Sequence, residues 1–337
     1  MREIGSEFWL ERETAVLSHD RDGIYVLSGR TAIDLIIQDI VMRRRVRNVY
    51  MPAWGCDSMI APFLVHGTQI NLYDVSFDGY LNCHTDCTDN TDILYVTNFF
   101  GYENTLPVET VIRFKEHGSI ILYDRTHSFL MGNDPYLALA DYSFASIRKW
   151  MGVVDGALVD GIGDCELKPC PYLDCKEEAM RMKKAFIEGD ETIDKQAFLN
   201  LYAEFGHCLA EDYQDYEMDD LSYVLYKSAD QTAMCRKRKE NARYLHEHLN
   251  GVRFMGELTD KAVPLFVPVF FKSREQRDVV RKKLVDAQIY CPIHWPKPAL
   301  IPTDFEANKI YETELSLICD QRYNLVDMER IVTVINE

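Results

Sequence analysis

No stretch of about 18 consecutive apolar residues occurs in the 337-residue chain, so no membrane-spanning helix is expected. The opening residues, Met-Arg-Glu-Ile-Gly-Ser-Glu-Phe-Trp, carry charges where a secretory signal needs its apolar core, which makes the cytoplasm the expected location. Positive charge is scarce. Lys and Arg total 37 against 54 Asp and Glu, a net charge of −17, and no basic stripe is present of the kind that neutralises nucleic-acid phosphates. Two short basic clusters, Arg43-Arg44-Arg45 with Arg47 and Arg236-Lys237-Arg238-Lys239, read as a helix end that suits the macrodipole and as a solvated helix face. Low-complexity tracts and repeats are missing too. With 47% hydrophobic and 27% charged residues the chain reads as globular, and its length predicts two unequal domains. The ten cysteines lack a metal framework: neither Cys83-His84-Thr85-Asp86-Cys87 nor Cys165, Cys170 and Cys175 has a second C-x-x-C or H-x-x-x-H half, so no metal is assigned and reduced thiols are expected.

What is present is an alternation of short apolar runs with amphipathic periods. Residues 1–19 read as an arm or first short helix with Phe8 and Trp9 as its buried contacts. Ile24 to Leu27 reads as a strand that feeds Ser28-Gly29-Arg30-Thr31, after which Ala32, Ile33, Ile36, Ile37 and Ile40 recur at helical spacing. Further strands are predicted over 48–51, 69–75, 92–96 and 119–123, with helices over 57–65 and 107–117 between them. Strands alternating with helices predict an α/β fold with a mainly parallel mixed sheet covered on both faces. Beyond residue 159 helices are predicted over 176–188 and 196–212, with one long helix from about Asp219 to Leu249. A smaller αβ unit closes the chain, with strands over 263–271, 289–293 and from Leu315, and helices over 273–287 and from Val326. The resulting division is a large domain over 20–225 and a small C-terminal domain over 226–337.

Gly29, Trp54, Asn98, Asp124 and Lys149 all fall at predicted strand carboxyl ends, where ligands sit in open α/β sheets. The densest of these ends is Asp141 to Trp150, followed by Asp155-Gly156: a strand, a tight turn carrying Lys149, and a second strand. A lysine at a buried strand end, with Ser146 three residues before it and Ser143 six before it, is what a Schiff-base lysine needs when its cofactor also carries a phosphate. Pyridoxal phosphate (PLP) matches these demands. Its phosphate needs donors, which Gly29, Arg30, Thr31 and either Ser146 or Ser143 supply. Asp124 is placed to keep the pyridine nitrogen protonated. Trp54 is the expected stacking partner for the ring, with Phe99 or Phe100 as substitutes. Asn98 completes the strand-end set, and His127 either bonds the phenolate edge or orients Asp124. From the small domain, His294, Trp295 and Arg322 are the candidate substrate contacts; Arg322 either pairs with a donor carboxylate or forms a structural salt bridge.

With those residues in place the chain resembles the DegT/DnrJ/EryC1/StrS sugar aminotransferases, fold-type I PLP enzymes of the aspartate aminotransferase superfamily. The matching pieces are Ser28 to Ala32 with its helix, Met51-Pro52 with the aromatic loop, Gly67 to Val75, Phe100-Gly101, the Asp124 loop, Ser143-Phe144 to Lys149 with Asp155-Gly156, Arg238 to Leu249, and Ile289 to Pro296. The resemblance implies Asp124 as pyridinium partner, Lys149 as Schiff-base lysine, a homodimer, and transfer of an amino group from glutamate to a keto sugar, often nucleotide-linked, in polysaccharide or other sugar biosynthesis. Two departures stand out. Lys149 follows the Ser-Phe pair by six residues where the family has five, and Asp215-Tyr216-Glu217 stands where the family's Asn-Tyr-Arg reaches the partner's phosphate, so that contact is either lost or taken by another residue such as Ser222. Another PLP reaction, or a binding or regulatory relative without catalysis, is the alternative expectation; a dehydratase would carry histidine in place of Lys149.

Overall fold

Several buried strands in this chain read as unbroken apolar runs, and six of the described helices begin where the side chain of a Ser, Asp or Asn caps them. The computed structural model describes residues 2–10, 21–85, 90–103, 106–132 and 134–337. In chain order it contains β1 (Ile4–Gly5), β2 (Ile24–Val26), α1 (Gly29–Arg43), β3 (Asn48–Pro52), α2 (Asp57–Val65), β4 (Gln69–Phe77), β5 (Leu81–His84) and β6 (Ile93–Thr97). Then come α3 (Val108–Glu116), β7 (Ile120–Asp124), β8 (Tyr142–Ser146), a 3-10 turn over Ile147–Lys149, β9 (Ala157–Asp160), α4 (Leu173–Glu188) and α5 (Lys195–Glu211). The last elements are α6 (Asp220–Ser228), α7 (Gln231–His248), β10 (Arg253–Phe254), β11 (Val267–Phe270), α8 (Arg274–Asp286), β12 (Ile289–Tyr290), α9 (Ala307–Thr313), β13 (Glu314–Leu317) and α10 (Leu325–Asn336). No described helix is long and apolar enough to cross a membrane. The nine described cysteines are free thiols, whereas Asp86 and Cys87 lie outside the described residues.

The chain forms two compact units. The first comprises Met1–Ser6, Val46–Asp141 and Asp230–Glu337. Its strands β4, β3, β6 and β7 run parallel in that order, with β5 antiparallel on β4. Ile-Leu-Tyr-Val in β6 and Ile-Ile-Leu-Tyr in β7 are buried throughout, as befits strands covered on both faces. The register sets Thr97 beside Asp124, so both strands end at the same level. Also in this unit, β10, β11 and β13 form an antiparallel sheet, and Ala242, Leu245, Leu284, Met328 and Ile331 from α7, α8 and α10 share one apolar cluster with it. The second unit comprises Glu7–Arg45 and Tyr142–Ala229. Here β9 lies antiparallel between β2 and β8, and α1 packs against these strands.

Three expectations change. The single helix over 219–249 is two: Ala229 is extended, and the Asp230 side chain caps α7 by accepting from Ala233 N. Of the arm or short helix expected over 1–19, the described residues 2–10 contain a short strand, β1 pairing with β12, and no helix, while Phe8 and Trp9 are half-buried and Leu10 is the fully buried contact; residues 11–20 lie outside the described set. Arg238 is not on a solvated face. It is almost fully buried and gives its guanidinium to the carbonyls of Pro264 and Leu265 and to Gln321, because it lies four residues from both Met234 and Ala242 on the inner face of α7.

Candidate functional site

The candidate residues fall into two groups, one in each unit. In the second unit, β8 ends at Ser146 and the 3-10 turn that follows ends at Lys149, whose half-buried side chain forms no hydrogen bond or ion pair among the described residues. The helix α1 begins beside this strand end. Ser28 caps it, its hydroxyl accepting from Thr31 N at 3.2 Å and lying 3.0 Å from the Thr31 hydroxyl. The first helical bond runs from Ala32 N to Ser28 O, so the N–H groups of Gly29 and Arg30 precede it and form the anion-attracting end of the helix. A Cβ on Gly29 would stand 3.4 Å from the Phe144 ring and 3.5 Å from Ser146 Cβ, which places the helix start directly against Ser146.

Ser143 is elsewhere. Three residues along the strand it faces the opposite side, and its hydroxyl donates to Asp160 at 3.1 Å, so Ser146 is the serine beside Gly29. Arg30 turns its guanidinium to the Leu209 carbonyl at 2.7 Å, above the Tyr213 ring, leaving its backbone at the helix start. Asp215, in a left-handed conformation, accepts from the Gln38 amide at 3.0 Å. Ser222 accepts from the N–H groups of Val154 and Asp155, fixing the turn ahead of β9.

In the first unit the strand ends carry a carboxylate and a set of aromatic rings. Asp124 closes β7; one oxygen accepts the Tyr95 hydroxyl at 2.8 Å and the other accepts Thr126 N at 2.8 Å. Burial, and then the Asp124 charge, pushes the Tyr95 hydroxyl well above its ordinary pKa, so it remains a donor. His127 accepts the Phe100 N–H at its Nδ1 (3.2 Å), and because a backbone N–H only donates, the ring proton of the neutral imidazole belongs on Nε2. Asn98 uses its carbonyl oxygen to accept Gly101 N at 3.1 Å, shaping the turn after β6.

The aromatic expectation changes here. Trp54, Phe99 and Phe100 are all at most 1% exposed: Trp54 stacks on Phe99 at 4.9 Å and donates its indole N–H to the His294 carbonyl at 2.9 Å. They form a packed core behind the strand ends and offer no open ring face. The half-buried Trp295 lies over His127, stacked at 5.6 Å, and over Phe100 at 5.8 Å. His294 meets Phe266, Phe100 and Trp295 with its ring, and its Nδ1 lies 2.8 Å from Ser316 Oγ. Arg322 takes the structural course. It pairs with Asp320 through two bonds of 2.9 Å, both side chains buried, and burial's tendency to raise the Asp320 pKa is outweighed by the Arg322 and Arg238 charges, which hold it below its ordinary value.

No protein-family model matches the sequence, and no curated protein matches it significantly. Solved structures do match. A Streptococcus pneumoniae protein described as a sugar aminotransferase, in its PLP form, aligns with a TM-score of 0.64 at 14% identity, over 93% of this chain and 86% of its own. A DegT/DnrJ/EryC1/StrS aminotransferase from Brucella abortus aligns with a TM-score of 0.61 at 14% identity, over 93% and 84%. This chain has the fold of these aminotransferases. DesI, crystallised in the presence of its TDP-sugar product, shares it too, at 0.62 and 13% identity over 95% and 81%. The expected fold-type I architecture is therefore the observed one, and at such identities the fold is what is shared.

The residues of this fold suit PLP in three respects: an amine with no other partner among the described residues at Lys149, a helix start with a serine against it, and a carboxylate at Asp124 held by two fixed donors. The ring-stacking role has no match among Trp54, Phe99 and Phe100. Sequence reasoning passed over Tyr95 and Thr126. Tyr95 lies inside an apolar strand run and looks like core, while Thr126 acts through its backbone, which no side-chain pattern reveals.

Proposed function

We propose that the chain is a PLP-dependent aminotransferase that moves an amino group from an amino-acid donor, glutamate, to a keto sugar, either free or nucleotide-linked. The observation that carries this reading is Lys149: it closes the turn that follows β8, three residues from the serine that meets the α1 N-terminus, and no described side chain claims its amine. The shared fold supports it, as does DesI, whose product is a TDP-sugar. Bound PLP supplies an electron sink through which an amino group and the hydrogen on its carbon can be exchanged.

Each residue then has a defined task. Lys149 attaches the cofactor and afterwards accepts and returns the substrate proton at its Nζ. Gly29, Arg30 and Thr31 with Ser146 hold the phosphate, the first two through backbone N–H groups. Asp124, fixed by Tyr95 and Thr126, accepts the ring N–H and keeps it charged. His127, with its proton on Nε2, is a donor for the phenolate oxygen. His294 and Trp295 contact substrate. The homodimer, the cytoplasmic location and the division at 225/226 with the arm 1–19 belong to the same proposal.

The test is the absorption spectrum of the purified chain with PLP, wild type beside Lys149→Ala. A visible band present only in the wild type, bleached by glutamate and restored by 2-oxoglutarate, is the expected result. A lysine-dependent band that no amino acid bleaches would favour the second reading, a binding or regulatory relative. That reading draws on the Arg322–Asp320 pair, which already occupies the guanidinium offered to a donor carboxylate. A spectrum without any lysine-dependent band ends the aminotransferase reading.

A further inference from the structure

Behind His294 lies a buried hydrogen-bonded chain that none of the roles above requires. Glu314 and Ser316 sit two residues apart on β13, on one face of the strand and both fully buried. One Glu314 oxygen, Oε2, accepts the His294 backbone N–H at 2.7 Å; the other, Oε1, bonds the Ser316 hydroxyl, whose Oγ lies 2.8 Å from His294 Nδ1. The His294 carbonyl is held from the other side by Trp54 Nε1. The backbone of His294 is thus clamped at both ends and its ring is tied to a carboxyl through one hydroxyl.

We propose that Glu314, acting through Ser316, sets which ring nitrogen of His294 carries the proton, and so whether its Nε2 edge donates or accepts a hydrogen bond. The donors and acceptors along the chain allow two arrangements. With Oε2 accepting the His294 N–H, a protonated Glu314 carries its proton on Oε1 and donates to Ser316 Oγ. Ser316 then donates to Nδ1, and the imidazole proton resides on Nε2. When Glu314 is ionised the two bonds of the relay reverse, so that Ser316 donates to Oε1 and Nδ1–H donates to Ser316, while the His294 N–H still donates to Oε2 and Nε2 is left without a proton. Passing from one arrangement to the other releases one proton, which leaves at Nε2 as its neighbours shift along the chain. Glu314 and Ser316 are positioning residues in this scheme.

The surroundings let Glu314 titrate near neutrality. Burial pushes its pKa up to about 8, an effect that Ser316, the His294 N–H and the Arg277 charge reduce but do not cancel. Arg277, from α8, directs its Nη1 to the carbonyls of Tyr311 and Glu314 rather than to the carboxyl. Cys291, just after β12, is a thiol pushed up to about 12 by burial, and the Tyr311 hydroxyl from α9 is turned to the carbonyls of Ala53 and Gly55. On β11 the register partner of Glu314 is the apolar Phe270, and His127 lies 6.4 Å from the His294 ring. The titration belongs to the relay as a whole.

What the switch acts upon rests on the reading of His294 as a substrate contact; the tautomer itself does not. The full chain, labelled with nitrogen-15 histidine, is therefore followed by NMR between pH 6 and pH 10, with the His294 signals assigned through His294→Gln. The wild type is expected to move from Nε2-protonated to Nδ1-protonated with a midpoint of about 8. In Glu314→Gln the amide NH2 replaces the carboxyl proton and the ring stays Nε2-protonated throughout. In Ser316→Ala, a smaller change that tests the relay should Glu314→Gln fail to fold, the pH response of the tautomer disappears. One fixed tautomer in the wild type, or an unaltered response in either variant, overturns the proposal. Because PLP attachment is read by absorption, loss of the cofactor reading leaves this result standing and the converse also holds.

Discussion

Tyr95 and Thr126 each donate to a different oxygen of Asp124, which fixes the carboxylate plane. Removing the hydroxyl with Tyr95→Phe takes away a bond to a charged group, and the expected effect is roughly tenfold weaker PLP binding, about 1.4 kcal/mol; Asp124→Ala should weaken it far more. Titration of the lysine-dependent band measures both, and equal effects would contradict the supporting role of Tyr95. Gly29→Ala separates binding from folding. The added methyl meets Phe144 and Ser146 at ordinary contact distances, so the melting temperature should hold while the phosphate loses its approach and PLP affinity falls. A variant that melts early with unchanged affinity would show Gly29 to be structural. The positions of Lys149, Asp124 and Gly29 at or just beyond strand ends were legible in the sequence from the apolar runs that precede them. The fate of Trp54 and Arg322 was not: an indole after a strand and an arginine in a turn read alike whether they face a ligand or, as here, Phe99 and Asp320.

At the scale of elements, periodicity located most helices and strands, and capping decided what periodicity blurred. The heptad-like run over 219–249 carries no proline or glycine before residue 249, so nothing in its pattern ends it at 228; the break comes from Asp230, whose side chain offers Ala233 N a cap in place of a continued helix. Asp230→Ala is expected to cost about 1 kcal/mol in denaturant unfolding, and no measurable loss would mean that tertiary packing alone makes the break. The same run hid Arg238, whose spacing from Met234 and Ala242 already placed it on the buried face. Short strands such as β1 and β10, two residues each, leave no period to read and emerge only from their partners β12 and β11.

For the whole molecule, the pH dependence of stability follows from buried carboxyls that burial drives upward. Asp155 rises from 3.8 to about 7, burial outweighing its bonds from Ser222 and Asp219 N, and Glu314 rises from 4.5 to about 8. Folded values above unfolded ones mean that the native state holds the extra protons. Their contribution is therefore complete below the unfolded values and is lost as pH climbs through about 7 and 8. Asp39 and Asp320, lowered from 3.8, work in the opposite sense and lose their contribution on acidification. Calorimetry should accordingly show the melting temperature of wild type falling between about pH 5 and pH 8 more steeply than that of Asp155→Asn; parallel curves would mean that Asp155 ionises normally. The central claim, however, is chemical: Lys149 carries PLP. Borohydride reduction of the PLP-treated full chain, followed by digestion and mass spectrometry, should place a single pyridoxyl phosphate on the peptide containing Lys149 and none on Lys149→Ala. A wild-type protein left unmodified, or one modified at a different lysine, would contradict the account.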